Sequence, residues 1–295
     1  MHIYRDLCTR MKTALEGHAS VASVSQATSR MEAIYQRPAD YDLEHEGDEE
    51  DIEFYKRLIG RWRPGRVMEL ASGSGRVTIP IARLAARSQF DIVGLEPEGP
   101  MLEEARRKRA DLDGSERCRV SFEAGDMRHW RSAAPFDLVI APCSSLSHLL
   151  TLEDQIAAWR CAFENLTSGG RFVADLTMPN LTAFAESMQT PPRQVLEIDV
   201  DARDPLSGAR LLRYKTTRYL AHEQRAEIRF MYDRFPDPDH VDRYVSDFDC
   251  HVYYPREVEL LFRLTGFTIE ASFGDYSMGP LRSDSPQLVC VGRKP

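Results

Sequence analysis

Long apolar runs are missing from this chain. No stretch of about 18 apolar residues occurs and no basic start precedes an apolar core, so neither a membrane span nor a secretory leader is expected. Close cysteine pairs are missing too. The six cysteines, at 8, 118, 143, 161, 250 and 290, form no C-x-x-C pair, which disfavours a zinc site or a disulfide framework. Cys143 follows a predicted strand but has no evident partner, so it reads as a packing residue rather than a nucleophile. Nor is there a lysine- or arginine-rich block: 38 basic residues face 46 acidic ones, for a net charge of −8, which argues against nucleic acid as the main partner. There is no internal repeat. A cytoplasmic protein is the default expectation, and its 295 residues are enough to bury a full core.

What is present centres on Val67-Met68-Glu69-Leu70-Ala71-Ser72-Gly73-Ser74-Gly75-Arg76. A short apolar run ends in an acid and a Ser/Gly turn, and Val77-Thr78-Ile79 then opens a helical pattern. Glycines at 73 and 75 let a ligand lie against bare backbone, and the helix start behind them presents unpaired N–H groups. A second buried strand, 91–95, ends in Glu96, placed to accept hydrogen bonds from ribose hydroxyls. A nucleotide-like cofactor is implied.

Around this unit, strands near 66–70, 90–95, 118–123, 136–141 and 170–176 alternate with helical spacing, as over 49–59 and 153–166. Thr151 and Asp154 form an expected capping box for the second of these helices. Alternation of this kind predicts an α/β, doubly wound, mostly parallel sheet. After Pro191-Pro192 the pattern turns to strand-like stretches rich in Arg, Tyr and Thr up to about 253, expected as an antiparallel β insertion over one end of the sheet. A helix over 255–265 and a terminal hairpin, 267–273 with 287–291, close the chain. The domain expectation is therefore an N-terminal helical extension or lid at 1–40, a cofactor-binding α/β core at 41–190, the insertion at 191–253 and a completing helix and hairpin at 254–295. Within the extension, residues 1–30 are read as a lid, a dimer contact or a loose tail.

Four stretches resemble the class I S-adenosylmethionine-dependent methyltransferases, whose Rossmann-like fold has seven strands. Glu69-Leu70-Ala71-Ser72-Gly73-Ser74-Gly75 matches the acid-x-G-x-G-x-G loop around the methionine part of the cofactor, with Ala71 where glycine is usual, one methyl crowding the loop. Gly94-Leu95-Glu96, with Pro97 and Met101-Leu102 behind it, matches the ribose acid and the apolar residues flanking adenine. Gly125-Asp126-Met127 matches the element that meets the adenine amino group and ring. Phe136 to Pro142 matches strand four, whose end faces the methyl group. The resemblance implies S-adenosyl-L-methionine as cofactor and an antiparallel last strand.

A narrower likeness is to the small-molecule branch that includes amino-sugar N,N-dimethyltransferases. It rests on Tyr41-Asp42-Leu43, expected to fold over the cofactor, on Ser144-Ser145-Leu146-Ser147-His148-Leu149, and on the β insertion. It implies a small-molecule acceptor, N or O before C, and a possible homodimer. His148 is the expected catalytic base, and Asp175, Tyr219, Arg229 and His251 are candidate substrate contacts, Arg229 for an acidic group. Arg218 is weighed with them, against the alternative of a solvated sheet face. The acidic run from Glu44 to Asp51 reads as a solvated helix start rather than a metal site. Two other classes stay in view: a non-catalytic cofactor-binding partner, and a nicotinamide dehydrogenase, disfavoured because Thr78 stands at its third glycine position.

Overall fold

The computed structural model describes residues 33–237 and 239–295. The expectation of a lid, dimer contact or tail at 1–30 falls outside the described residues. Among the described residues the chain order is a 3-10 turn (Ala33–Gln36), α1 (Pro38–Glu44), α2 (Glu50–Trp62), β1 (Arg66–Leu70), α3 (Thr78–Ser88), β2 (Asp91–Glu96), α4 (Gly99–Ala110) and α5 (Gly114–Arg117). There follow β3 (Val120–Ala124), β4 (Phe136–Ala141), a second 3-10 turn (Ser145–His148), α6 (Leu152–Glu164), β5 (Leu166–Thr177) and α7 (Leu181–Ser187). The insertion holds β6 (Glu197–Arg203), β7 (Arg210–Leu220), β8 (Arg225–Asp237) and β9 (His240–His251), and α8 (Pro255–Leu264), β10 (Thr268–Phe273) and β11 (Gln287–Arg293) complete the chain.

The first sheet has seven strands in the order β10-β11-β5-β4-β1-β2-β3. Strands β1 to β5 pair in parallel, and β11 enters antiparallel between β10 and β5, as the closing hairpin predicted. Val67 to Leu70 and Leu138 to Ala141 are buried as unbroken runs, because helices cover both faces of the sheet. One apolar layer gathers Trp159, Phe172, Phe262 and Phe267 beneath α6 and α8, and the other gathers Phe54, Tyr55, Leu58, Ile92 and Phe122 beneath α2 and α3.

Helix α6 stops at Glu164, two residues before its predicted end. Asn165 donates its amide to the Cys161 carbonyl at 2.8 Å, and Lys294 donates to the carbonyls of Phe163 and Leu166 at 2.8 and 2.7 Å, so the last turn is satisfied by side chains from outside it. Its start is half of the predicted box: the Thr151 hydroxyl accepts from the Asp154 N–H at 3.1 Å, while the Asp154 carboxylate turns to Arg128.

The insertion forms a separate antiparallel sheet in the order β6-β7-β8-β9. Its register pairs Thr217 with Ile228 and Ile228 with Phe248 on one face, and Thr216 with Arg229 and Arg229 with Asp247 on the other. The first face lies against the 3-10 turns and α1: Phe248 is 5.9 Å from the His148 ring, and the Ile34 N–H donates to the Ser246 hydroxyl at 3.3 Å. Of the expected N-terminal extension, 33–40 is described, and it packs against the insertion through Ile34, Leu211 and Tyr232. Helices α1 and α7 were not foreseen, although Pro38 at the start of α1 is a start signal.

Candidate cofactor and acceptor site

The site begins where β1 ends. Glu69 is 2 % exposed, and its carboxylate accepts from the Thr78 hydroxyl in the first turn of α3. Burial pushes this carboxyl up to about 8, which the Thr78 bond and the nearby Arg76 only partly oppose. An added positive charge beside it would return it to the ionised form.

In the loop that follows, Ala71, Gly73 and Gly75 have φ of 54°, 56° and 82°. The glycine usual at position 71 is therefore explained by backbone conformation rather than by crowding, and the alanine carries a left-handed cost of about 1 kcal/mol. Gly75 needs its hydrogen for a second reason, since a Cβ there would sit 3.1 Å from both Ile79 and Phe122. The loop's N–H groups are less available than the sequence indicated. Gly73 N–H donates to Glu96 Oε2 at 2.7 Å, Ser72 N–H to the Leu95 carbonyl at 3.0 Å and Gly75 N–H to the Ser72 carbonyl at 2.9 Å. The Ser72 hydroxyl is buried without a partner.

Glu96 ends β2, one strand over. It is 4 % exposed and accepts from the N–H groups of Gly73 and Glu98; burial leaves its carboxyl above the usual range, and those two bonds oppose this only in part. Its remaining lone pairs suit hydroxyl donors. Pro97 is exposed beside it, while Met101 is buried in the first turn of α4. Just past β3, Asp126 is half-buried and gripped by Arg128, whose Nε lies 2.9 and 3.0 Å from its two oxygens and whose Nη1 reaches Asp154 at 3.0 Å. Burial works to raise the Asp126 carboxyl, but the Arg128 bonds outweigh it and leave it below the usual range. Met127 is buried beneath it.

The exit of β4 makes the third side. Pro142 is buried, and Cys143 and Ser144 are both left-handed, at φ 54° and 56°. Arg76, from the glycine loop, bonds Cys143 Sγ at 2.7 Å and the Asp48 carbonyl at 2.9 Å, and it pairs with the buried Asp51 carboxylate. One guanidinium thus ties the start of α2, the glycine loop and the β4 exit. Sequence reasoning missed it because its partners lie 25 and 67 positions away.

His148 ends the 3-10 turn beyond β4. Its Nε2 lies 3.0 Å from the Tyr35 hydroxyl, and its ring contacts Phe248. Tyr41 stands over the glycine loop, so that a Cβ on Gly73 would meet its ring at 3.9 Å. Its ring is 6.2 Å from Tyr35 and 4.5 Å from His45, whose imidazole burial pushes down to about 4. Tyr35 was not foreseen; only the folded insertion brings it to His148.

The four substrate candidates are placed differently. Arg229 lies on the insertion's outward face, 57 % exposed and paired with Asp247 at 2.7 Å, because its register puts it opposite in facing to Ile228 and Phe248. Arg218 shares that face and pairs with Glu227. Asp175 is closed off: it is 1 % exposed, accepts from the Tyr55 hydroxyl at 2.8 Å and the Tyr276 hydroxyl at 3.1 Å, and burial raises its carboxyl to about 7. His251 is buried against Tyr253 and bonds Glu257 at 2.9 Å, and the buried Tyr219 stacks on Phe184 and meets the Tyr254 hydroxyl at 3.1 Å. Both spend their polar atoms on the junction between insertion and α8. Among the described residues no group of three or more His, Cys, Asp or Glu is arranged to hold a metal ion.

The residues at the strand ends fit S-adenosylmethionine. A buried acid lacking a full counter-charge suits an ammonium, and a buried acid with spare lone pairs suits a ribose. Comparison with known proteins agrees. Residues 67–170 match a methyltransferase-domain family. A putative methyltransferase of Bacillus subtilis, YqeM, is 30 % identical over 113 residues, 38 % of this chain and 42 % of that protein, so the match spans less than half of that relative. Two solved structures share the fold over most of both chains. The CcbJ methyltransferase of Streptomyces caelestis has a TM-score of 0.67 at 21 % identity, covering 84 % of this chain and 94 % of its own. The sugar N-methyltransferase KedS8 of Streptoalloteichus has a TM-score of 0.66 at 18 % identity, covering 94 % and 99 %. Residues 67–170 of this chain thus match a methyltransferase-domain family, and the chain as a whole has the fold seen in solved S-adenosylmethionine-dependent methyltransferases.

Proposed function

We propose that the protein transfers a methyl group from S-adenosylmethionine to nitrogen or oxygen of a small-molecule acceptor. The observation that carries this reading is the placement of Glu69, Glu96 and Asp126 at the carboxyl ends of the neighbouring strands β1, β2 and β3, with Tyr41 over the glycine loop and His148 just beyond the exit of β4. When bound, S-adenosylmethionine supplies an electrophilic methyl group on sulfur. Displacement at that carbon is in line, so the chain's own work is alignment and exclusion of water. Glu69 neutralises an ammonium, Glu96 and Asp126 fix the nucleoside end, and Tyr41 covers the glycine loop.

His148 takes the proton that an amine or hydroxyl acceptor must lose, with Tyr35 holding its ring. The aromatic wall of Phe248, Phe230 and Tyr35 suits a compact organic acceptor. The likeness to KedS8 supports an amine on a sugar-sized molecule. Calorimetric titration with S-adenosylmethionine and S-adenosylhomocysteine tests the reading: micromolar binding is expected, weakened about tenfold or more in Asp126→Ala. A screen over amines, phenols, alcohols and carboxylates then finds the acceptor, and His148→Ala is expected to lower kcat about 100-fold or more. Absence of binding to either ligand removes the proposal. Tight binding with no transfer to any acceptor identifies a cofactor-binding partner subunit instead.

A further inference from the structure

Helix α1 has two differently fastened faces. Towards the insertion, Asp40 accepts from Arg234 at 2.5 Å and from the Tyr244 hydroxyl at 3.0 Å, and Glu44 accepts from the Tyr232 hydroxyl at 2.9 Å and pairs with Arg213 at 3.0 Å. Those two acidic side chains are 2 % and 3 % exposed, and Leu43 between them packs on Leu211 and Tyr232. Towards the glycine loop, α1 presents Tyr41 and a polar latch. Asp42 accepts from the Ser74 hydroxyl at 2.5 Å and pairs with Lys108 of α4 at 2.6 Å, while Lys108 also reaches Ser74 Oγ at 3.2 Å.

Asp42 and Lys108 are 28 % and 23 % exposed, so water screens this pair far more than it screens Asp40 or Glu44.

We infer that Asp42 and Lys108 are positioning residues, which latch α1 so that Tyr41 lies closed over Gly73 and the cofactor. The inference rests on the proposed methyltransferase reading for the identity of what is covered. Neither residue touches the reacting atoms; each acts through Tyr41. Because α1 is bound to the insertion by its other face, the latch joins the wall of the acceptor site to the loop of the cofactor site, and linkage makes any coupling between the two ligands reciprocal.

The test compares Lys108→Met, Lys108→Arg and Asp42→Asn with the unaltered chain. The readouts are calorimetric affinity for S-adenosylhomocysteine, KM for cofactor and acceptor separately, Tm, and hydrogen exchange of the amides at 39–46 without ligand. Lys108→Met is expected to weaken S-adenosylhomocysteine about fivefold, with Tm within about 2 °C and exchange at 39–46 faster. Asp42→Asn should do the same, and Lys108→Arg should restore affinity. An unchanged affinity overturns the inference, and so does a loss accompanied by a large fall in Tm, which marks a merely structural pair. If the unaltered chain binds neither S-adenosylmethionine nor S-adenosylhomocysteine, the functional reading fails. The latch is then decided by exchange alone, and unchanged rates at 39–46 in Lys108→Met refute it.

Discussion

In the seven-stranded sheet, β4 runs through Leu138 to Ala141 without an exposed residue, whereas in the insertion β8 turns Ile228 and Phe230 towards the site and sends Arg229 out to pair with Asp247. The first sheet is covered on both faces and takes its stability from apolar burial. The second is covered on one face, and its open face is a ladder of cross-strand ion pairs, Arg229–Asp247, Arg243–Asp233 and Arg218–Glu227. A strand of the first kind tolerates uncertainty of one residue in its reading. A strand of the second kind does not, since a one-residue slip exchanges its faces. The comparison teaches that the cofactor half of the site is set by local sequence, and the acceptor half by register.

The contrast can be broken most directly at Asp40. If the insertion's buried ionic contacts matter as much as the core's apolar ones, Asp40→Ala, which leaves Arg234 and the Tyr244 hydroxyl without their buried acceptor, should cost about 2–3 kcal/mol in urea unfolding. A loss of only a few tenths would mean that α1 is held by Leu43 and its neighbours alone.

Asp175 sharpens the other half. Its carboxyl is raised by burial to about 7 from an ordinary value near 3.8, so the folded protein holds a proton that the unfolded chain has released. Stability from this group is therefore full below about pH 4 and declines as pH rises through about 7. Asp175→Asn keeps an acceptor for Tyr55 and Tyr276 but carries no proton to lose. It should flatten the fall in Tm between about pH 5 and about pH 8, with a gain on the order of 2 kcal/mol at the upper end. A pH profile parallel to the unaltered chain would show that the carboxyl titrates normally.

Arg229 should show the smallest effect. It is exposed and its pair is screened, so Arg229→Ala is expected to move Tm by less than about 2 °C and to leave the KM of any acceptor unchanged. A large rise in acceptor KM would restore this residue to the site and contradict the register that places it outside.

Much of the core was legible because its signals are local. An apolar run, an acid, a glycine turn and the start of a helical pattern fall within thirteen residues at 67–79, and β2 with Glu96 repeats the logic. The position of Ala71 shows the limit of such reading: the alanine was seen, but its φ of 54° explains why glycine is usual there. His148 could be placed near the β4 exit from its spacing, whereas Tyr35, 113 positions away, could not be joined to it. The facing of Arg229, opposite to Ile228 and Phe248, could not be read from the sequence, because alternation gives two faces without saying which one is inward. Helix α1 is only seven residues long and is held by Arg213, Tyr232, Arg234 and Tyr244 on the insertion's strands, so beyond Pro38 at its start little in the local sequence announced it.

By itself, the sequence determined the alternation of strands and helices, the antiparallel closing hairpin, and the acids and glycines of the cofactor loop, because hydrophobic periodicity and backbone freedom act over a few residues. The tertiary structure decided which charges meet: that Arg76 joins Asp51 to Cys143, that Asp175 is sealed beneath two tyrosines, and that Asp42 finds Lys108. Those choices depend on distances between segments remote in the chain. They are fixed only when the core and the insertion have packed, since a side chain's charge selects its partner by proximity and burial, and neither quantity exists in the unfolded polymer.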